Sequence, residues 1–273
     1  MLPKITIIGA GTMGEALIKG LLRESLVEPH NIVASDPWKE RLESLVEIYG
    51  IDSAENNIDA VSGAEIVLLS VKPQVMNDVL AELNGHVAAE VLVFSIAAGV
   101  RVDTIRKGLD VSGVIRAMPN TPAQIGQGIT VWTATPSVTD KQREYAKVIL
   151  KALGKEVYVS DEHYLDMTTA LSGTGPAYVY LFMEAMVDAG VHLGFSRHIA
   201  EQLVFQTVIG SANYAQRSEL HLAALRNQVT SPGGTTAEAL YHLDKGGFRT
   251  VLSRAIWAAY MRSTQFGQDD GSD

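Results

Sequence analysis

The chain has 273 residues, enough for one large domain or two ordinary ones, and its 47% hydrophobic and 19% charged content excludes a wholly disordered or fibrous protein. A formal net charge of -9 without any Lys/Arg cluster excludes a nucleic-acid partner, which requires concentrated positive charge against phosphate. With no cysteine the chain has no disulfide, thiolate metal site or thiol nucleophile, and its seven histidines follow no ligand spacing, so no metal is expected. The opening "MLPKITIIGAG" reaches glycine too early for a signal peptide, and no apolar run attains the roughly 18 to 20 residues of a membrane span. A soluble, cytoplasmic protein with no membrane partner is the expectation.

In chain order, residues 4–9, 31–35, 65–71, 90–96, 113–118 and 128–134 are predicted strands, several too continuously apolar to have a wet face. Helical spacing fills 12–24, 37–49 and 74–83 between the early ones; strand alternating with helix predicts a parallel, doubly wound α/β sheet covered on both faces. A helix opened by the capping pattern Thr139-x-x-Gln142 precedes a last strand at 155–160. Beyond it, 163–171, 176–192, 197–217, 219–228, 236–244 and 248–266 carry helical spacing, and the polar tail 267–273 is expected to fray. The expected organisation is an α/β domain over 1–160 and an all-α domain over 161–273. Helix 176–190 has Glu184 and Asp188 as its only charges; a helical half of about a hundred residues cannot hide so much apolar surface, so it is expected to dimerise or assemble further.

Gly9-Ala10-Gly11-Thr12-Met13-Gly14 follows the first strand and opens the first helix. In that context the glycines have separate uses: Gly9 for the tight turn, Gly11 for close approach of a pyrophosphate to the backbone, Gly14 for packing of helix on strand. The helix N-terminus adds free N–H groups and partial positive charge. Ser35-Asp36 ends the second strand, 22 residues beyond Gly14. A carboxylate there accepts from the ribose hydroxyls and repels a 2′-phosphate, favouring NAD over NADP, while Lys39 and Arg41 pull the other way. Asp36 as the N-cap of the next helix is the alternative. Ser70-Val71-Lys72-Pro73 and the stretch 95–100 lie at carboxyl ends of predicted strands, the edge at which such sheets bind ligands, although Pro73 also suits the start of a helix.

Gly9-x-Gly11-x-x-Gly14, Val71-Lys72-Pro73, Ser95-Ile96-Ala97-Ala98-Gly99-Val100, Arg116-Ala117-Met118-Pro119-Asn120-Thr121-Pro122, Ser172-Gly173-Thr174-Gly175-Pro176-Ala177-Tyr178 and Ser231-Pro232-Gly233-Gly234-Thr235-Thr236 occur in that order from about residue 5 to 260. Together they resemble the pyrroline-5-carboxylate reductase family, the last two motifs most specifically. The resemblance implies a Rossmann domain followed by a helical dimerisation domain. It implies reduction of a cyclic imine to L-proline, the last step of proline biosynthesis, with NADPH or NADH. Cofactor contacts are implied at Gly9 to Gly14, Ser35, Asn57, Ser70, Val71, Lys72, Pro73 and Ala97. Substrate contacts are implied in the 231–236 loop (Ser231, Gly233, Gly234, Thr235, Thr236), with Thr236 beside the ring nitrogen, and at Glu219. Asp36 departs from the uncharged hydroxyl residue that can bind the 2′-phosphate in relatives, which leaves the choice of cofactor open.

Thr235-x-x-Glu238 reads as a capping box, starting a helix at about Thr236 whose first N–H groups lack intrahelical partners. With Gly233 and Gly234 unshielding those donors and Pro232 stiffening the approach, the turn reads as a cradle for a carboxylate, needing no Lys or Arg. A well-capped helix-helix turn is the bland alternative. Hydride addition to a ketone needs a strong proton donor, whereas an imine can enter already protonated. The β-hydroxyacid dehydrogenases place a catalytic lysine on a helix of their second domain; no lysine lies between Lys155 and Lys245, which disfavours that alternative. His163, His192, His198, His221 and His242 have no acid motif around them. A non-catalytic NAD(P)-binding sensor is the remaining alternative. The expected arrangement has a reduced nicotinamide across the carboxyl edge of the sheet and the imine on the 231–236 loop, completed by a partner subunit.

Overall fold

The computed structural model describes residues 1–266, so the tail expected to fray lies outside the described residues. Eight strands form one sheet: β1 (Ile5–Ile8), β2 (Ile32–Ser35), β3 (Asp52–Ser53), β4 (Ile66–Leu69), β5 (Leu92–Ser95), β6 (Val114–Met118), β7 (Gly128–Ala134) and β8 (Gly154–Tyr158), in the order β3-β2-β1-β4-β5-β6-β7-β8. The parallel, doubly wound core runs from β3 to β6. β7 then adds antiparallel to β6, because residues 119–127 form only a 3₁₀ turn, Thr121–Ile125, too short for the crossover of a dozen or more residues that parallel pairing needs. Helix α6 (Asp140–Leu153) supplies such a crossover, and β8 is parallel to β7.

Helices α1 (Thr12–Arg23), α2 (Lys39–Tyr49) and α6 cover one face, α3 (Asn57–Val61), α4 (Met76–Leu83) and α5 (Val102–Leu109) the other. Every residue of β1, β2, β4 and β5 is buried, as two covered faces require. Ile5, Ile7, Leu68 and Phe94 pack with Leu17, Leu21, Ile149 and Leu153 on one side; Ile8, Val67, Leu69 and Val93 pack with Val79, Leu80 and Ile105 on the other. The box predicted at Thr139 forms in both directions, Gln142 N–H to Thr139 Oγ1 at 3.3 Å and Thr139 N–H to Gln142 Oε1 at 3.0 Å. Short β3, α3 and α5 carry too little periodicity to have been predicted.

Helix α7 (His163–Thr168) is fastened to the sheet by a buried cation. Arg116 on β6, its side chain 2% exposed, donates to Glu162 at 2.7 Å and to Asp166 at 3.0 Å. Glu162 also accepts the first N–H of α5, from Val102, at 2.8 Å, and Ser263 lies 3.4 Å from Asp166. A π segment, Thr169–Gly173, follows, and Asn120 joins it to the sheet by donating to the Ser172 carbonyl while accepting from Ile129 N–H.

By compactness the described residues form two units, Met1–Thr174 together with residues 259–266, and Gly175–Ala258. The second holds α8 (Gly175–His192), α9 (Arg197–Arg217), α10 (Leu222–Gln228), α11 (Thr235–Lys245) and the first part of α12 (Phe248–Phe266). Its core is small: Val187 of α8 with Ala200 and Val204 of α9, joined by Met183, Met186 and Val208. Val187 is the only buried residue of α8, and α10 and α11 bury none. Leu181, Phe182, Leu203, Ile209, Leu222, Val251 and Trp257 are exposed, from 43% to 69%. Among the described residues no helix is long and apolar enough to cross a membrane.

Asp166→Ala removes one of the two carboxylates on buried Arg116, leaving the guanidinium neutralised by Glu162 but one of its N–H groups without an acceptor, and is expected to destabilise the first unit by about 2 kcal/mol, read as a lower urea midpoint in far-UV dichroism. An unmoved midpoint would show that the ion pair does not hold α7.

Candidate active site

Parallel register brings the carboxyl ends of four strands to one edge. Ile8 pairs with Ser35 and with Leu69, and Leu69 pairs with Ser95, so the loops beginning at Gly9, Asp36, Ser70 and Ile96 emerge side by side. Gly9 has φ +90°, and a Cβ on it would come within 2.9 Å of the Ser70 backbone. A Cβ on Gly14 would collide with the Gly9 carbonyl. Gly11 is different: it is the N-cap of α1, no side chain caps that helix, and a Cβ placed on it meets nothing within 4 Å. Thr12 and Met13 supply the next N–H groups, at a helix end that presents unsatisfied donors. Residues 9–14 therefore leave open space where an anion would meet the backbone.

Ser35 is 3% exposed and donates its hydroxyl to Asn57 Oδ1 at 2.9 Å, while the Asn57 amide donates to Glu82 at 2.7 Å. Asp36 does not cap α2; the N-cap is Trp38, because the carboxylate is taken up by the loops. One oxygen accepts from Ala10 N–H at 2.8 Å and the other from Trp38 N–H at 3.0 Å. Arg41 donates to the Ala10 carbonyl at 3.0 Å and pairs with Glu15 at 2.5 Å, and Tyr49 Oη donates to the second Glu15 oxygen at 2.9 Å. Sequence reading missed Glu15 and Tyr49. Their spacing from Arg41 has no period, and a Glu one residue after Gly14 gave the only hint.

At the end of β4 the Ser70 hydroxyl is buried and has no hydrogen-bond partner among the described residues. Val71 is half-buried, Lys72 is exposed, and Pro73 starts a 3₁₀ turn, Pro73–Val75, leading into α4. Ala97 is buried and its N–H faces Ser95 Oγ at 3.3 Å. Every residue named for the cofactor belongs to the first unit.

The residues named for the substrate belong to the second. Gly234 N–H donates to the Ser231 carbonyl at 3.0 Å, Gly233 has φ +69° and is open around its Cα, and a Cβ on Gly234 would strike the Ser231 hydroxyl. This turn makes Gly234 the N-cap of α11, so the capping box expected at Thr235 does not form. Thr235 and Thr236 lie inside the first turn, and Glu238 faces His242 at 3.4 Å instead of reaching back. The correction leaves the first N–H groups of an 11-residue helix without any side-chain cap. Thr236 is half-buried beside them and Thr235 is exposed. Glu219 is exposed in the connection between α9 and α10, and among the described residues it makes no bond to the 231–236 loop.

Of the five histidines considered as acids, four have polar neighbours among the described residues, His242 being the one beside Glu238. His163 lies 3.1 Å from Tyr260 Oη, His198 lies 3.2 Å from Gln202, and His221 accepts from Ala223 N–H as the cap of α10. Among the described residues no three His, Cys, Asp or Glu side chains gather as metal ligands would.

A family model for pyrroline-5-carboxylate reductase dimerisation matches residues 162–266, and one for NADP oxidoreductase, coenzyme F420-dependent, matches 4–99. The chain is 42% identical to the pyrroline-5-carboxylate reductase of Synechocystis, over 97% of this chain and 98% of that one. It is 42% identical to that of Pseudomonas aeruginosa, over 98% of both. The crystal structure of the Plasmodium falciparum pyrroline carboxylate reductase with NADP bound superposes with a TM-score of 0.89 at 30% identity, covering 97% of this chain and 98% of that one. Carrying these motifs in order over nearly its whole length, the chain belongs to the pyrroline-5-carboxylate reductase family.

Proposed function

We infer that the protein reduces 1-pyrroline-5-carboxylate to L-proline with NADPH or NADH, an oxidoreductase acting on a C–N bond. The observation that carries this reading is the glycine-capped, side-chain-free N-terminus of α11, which suits a small carboxylate, in a chain that also opens with a dinucleotide-type glycine loop. The open space at Gly11 and the partnerless Ser70 hydroxyl fit a dinucleotide on the edge of the first unit. Gly9 to Gly14 would hold its pyrophosphate, Ser35, Asp36 and Asn57 its adenosine, and Ser70 to Pro73 with Ala97 the remainder. Bound NAD(P)H supplies a hydride to the imine carbon.

The chain's own residues bind and orient. First-turn N–H groups of α11, with Ser231, Gly233, Gly234 and Thr235 shaping the loop, neutralise the carboxylate; Glu219, itself an anion on the α9–α10 connection, is assigned to the positively charged ring and not to the carboxylate. Thr236 Oγ1 is placed in the first turn to meet the ring nitrogen. A pyrroline nitrogen arriving protonated keeps that proton as the secondary amine of proline, the C=N pair moving onto nitrogen as hydride reaches carbon, so no strong acid is required. The lack of lysine between Lys155 and Lys245 argues against the dehydrogenase alternative, and a sensor would have no use for the second cradle.

The working form is a cytoplasmic homodimer or larger assembly of dimers. The apolar side chains exposed along α8, α9 and α12 support association, since a soluble monomer rarely shows so much contiguous apolar surface.

Gly11→Ala is expected to leave the melting temperature in place, because the added methyl meets no protein atom, and to weaken NADH binding by about tenfold or more in calorimetric titration. Turnover is tested by mixing the protein with pyrroline-5-carboxylate and each reduced cofactor while following cofactor absorbance. Thr236→Ala should then lower kcat by ~10- to 100-fold, the loss of one hydrogen bond to a charged group. No consumption of either cofactor by the unaltered protein would end the functional reading. Sedimentation at micromolar concentration should give at least twice the 29.4 kDa chain mass, and a monomer would reject the proposed assembly.

A further inference from the structure

Ala10 is gripped from both sides: its N–H by the Asp36 carboxylate and its carbonyl by the Arg41 guanidinium. Both charged groups thus sit at the end of β2 where the adenosine ribose of a dinucleotide is read. A 2′-phosphate needs positive charge there, ideally an arginine fork free to meet its oxygens. Two of the three nitrogens of Arg41 are already engaged. Its Nε holds Ala10, a second nitrogen holds Glu15, and the side chain is only 24% exposed. Glu15 is fixed in turn by Tyr49 Oη. Hydrogen bonding from Arg41 holds the Glu15 carboxyl below the usual carboxylate range, outweighing the burial that would raise it, so Glu15 stays ionised and the pair internally neutral. The hydroxyl of Ser35 is buried and given to Asn57, so it offers no donor. What faces solvent at this end of the sheet is Asp36, with Lys39 and Glu40 exposed at the start of α2, a set whose charges do not sum to a positive value.

We propose, resting on the reductase reading above, that Glu15 and Tyr49 set cofactor choice by withholding Arg41 from the 2′ position, so that with Asp36 they make this chain select NADH over NADPH. Glu15 and Tyr49 are positioning residues in this scheme: they act through Arg41 and touch no cofactor.

Calorimetric titration of the full-length protein with NADH and with NADPH, alongside turnover of pyrroline-5-carboxylate with each, tests the scheme. The unaltered protein should bind NADH about tenfold more tightly, the effect of one misplaced charge at a partly exposed site. Glu15→Gln should narrow that ratio by about fivefold, chiefly by tightening NADPH as Arg41 is released. Tyr49→Phe, which keeps the ring and its packing, should move the ratio in the same direction by less. Adding Arg41→Met to Glu15→Gln should cancel the gain. The scheme is overturned by an unaltered protein that prefers NADPH. It is equally overturned if both affinities fall together in Glu15→Gln with their ratio unmoved, since that is what mere loss of structure produces. Absence of turnover with either cofactor would strike the functional reading alone, and the binding ratio would still decide the proposal.

Discussion

An α-helix begins with N–H groups that its own backbone cannot satisfy, and the two halves of this chain are organised by where those groups are left bare. Side chains cap four helices, Asn56 at α3, Thr139 at α6, Ser196 at α9 and His221 at α10, while α2, α4, α5 and α7 start behind Trp38, Val75, Arg101 and Glu162 with no cap bond from those side chains. Two helices instead have glycine at the N-cap and no side-chain bond, α1 with Gly11 and α11 with Gly234. Glycine at the N-cap costs a helix only about a few tenths of a kcal/mol relative to a capping side chain, readily offset where an anion takes the place of the cap. Both glycines stand where the functional reading requires a negatively charged group.

The same sequence signal therefore led to opposite outcomes at two places. Thr139-x-x-Gln142 is a capping box because Thr139 is extended, with its hydroxyl aimed at the third N–H of α6. Thr235-x-x-Glu238 is not, because the bond from Gly234 N–H to the Ser231 carbonyl turns the chain one residue earlier and puts Thr235 into helical conformation, where its hydroxyl cannot reach forward. The pattern of residue types was legible; the turn that decides which threonine is the cap was not. Continuous apolar runs such as Ile66–Leu69 announced the buried parallel core, whereas the antiparallel β7 depended on the shortness of the connection and not on the strand's own residues.

Long-range polar contacts were the least legible, since an ion pair leaves no period. Arg116 was visible as part of a motif, yet its work is structural: it joins β6 to α7 through Glu162 and Asp166. Asn120, from the same motif, ties the loop after β6 to the π segment ahead of α8. The 116–122 motif thus owes part of its residue choice to holding the sheet unit together. The helices of the second unit teach the converse. Their apolar residues lie on too many sides for a single-chain core, and α8 buries one residue of its eighteen, so the pattern described a surface in need of cover and not an amphipathic packing face.

Backbone donors and ionised side chains divide the chemistry of the candidate site between them. Amide N–H groups do not titrate, so a cradle at α11 keeps its affinity for a carboxylate over any pH at which that acid is ionised, and an imine that enters protonated asks for no acid of matched pKa. On the proposed reading, selection at the adenosine end uses charged groups, Asp36 and Arg41, both held on one residue, Ala10. On the same reading neutral donors bind the reacting group and charged side chains choose the cofactor, so a change of charge near β2 removes no donor from the start of α11.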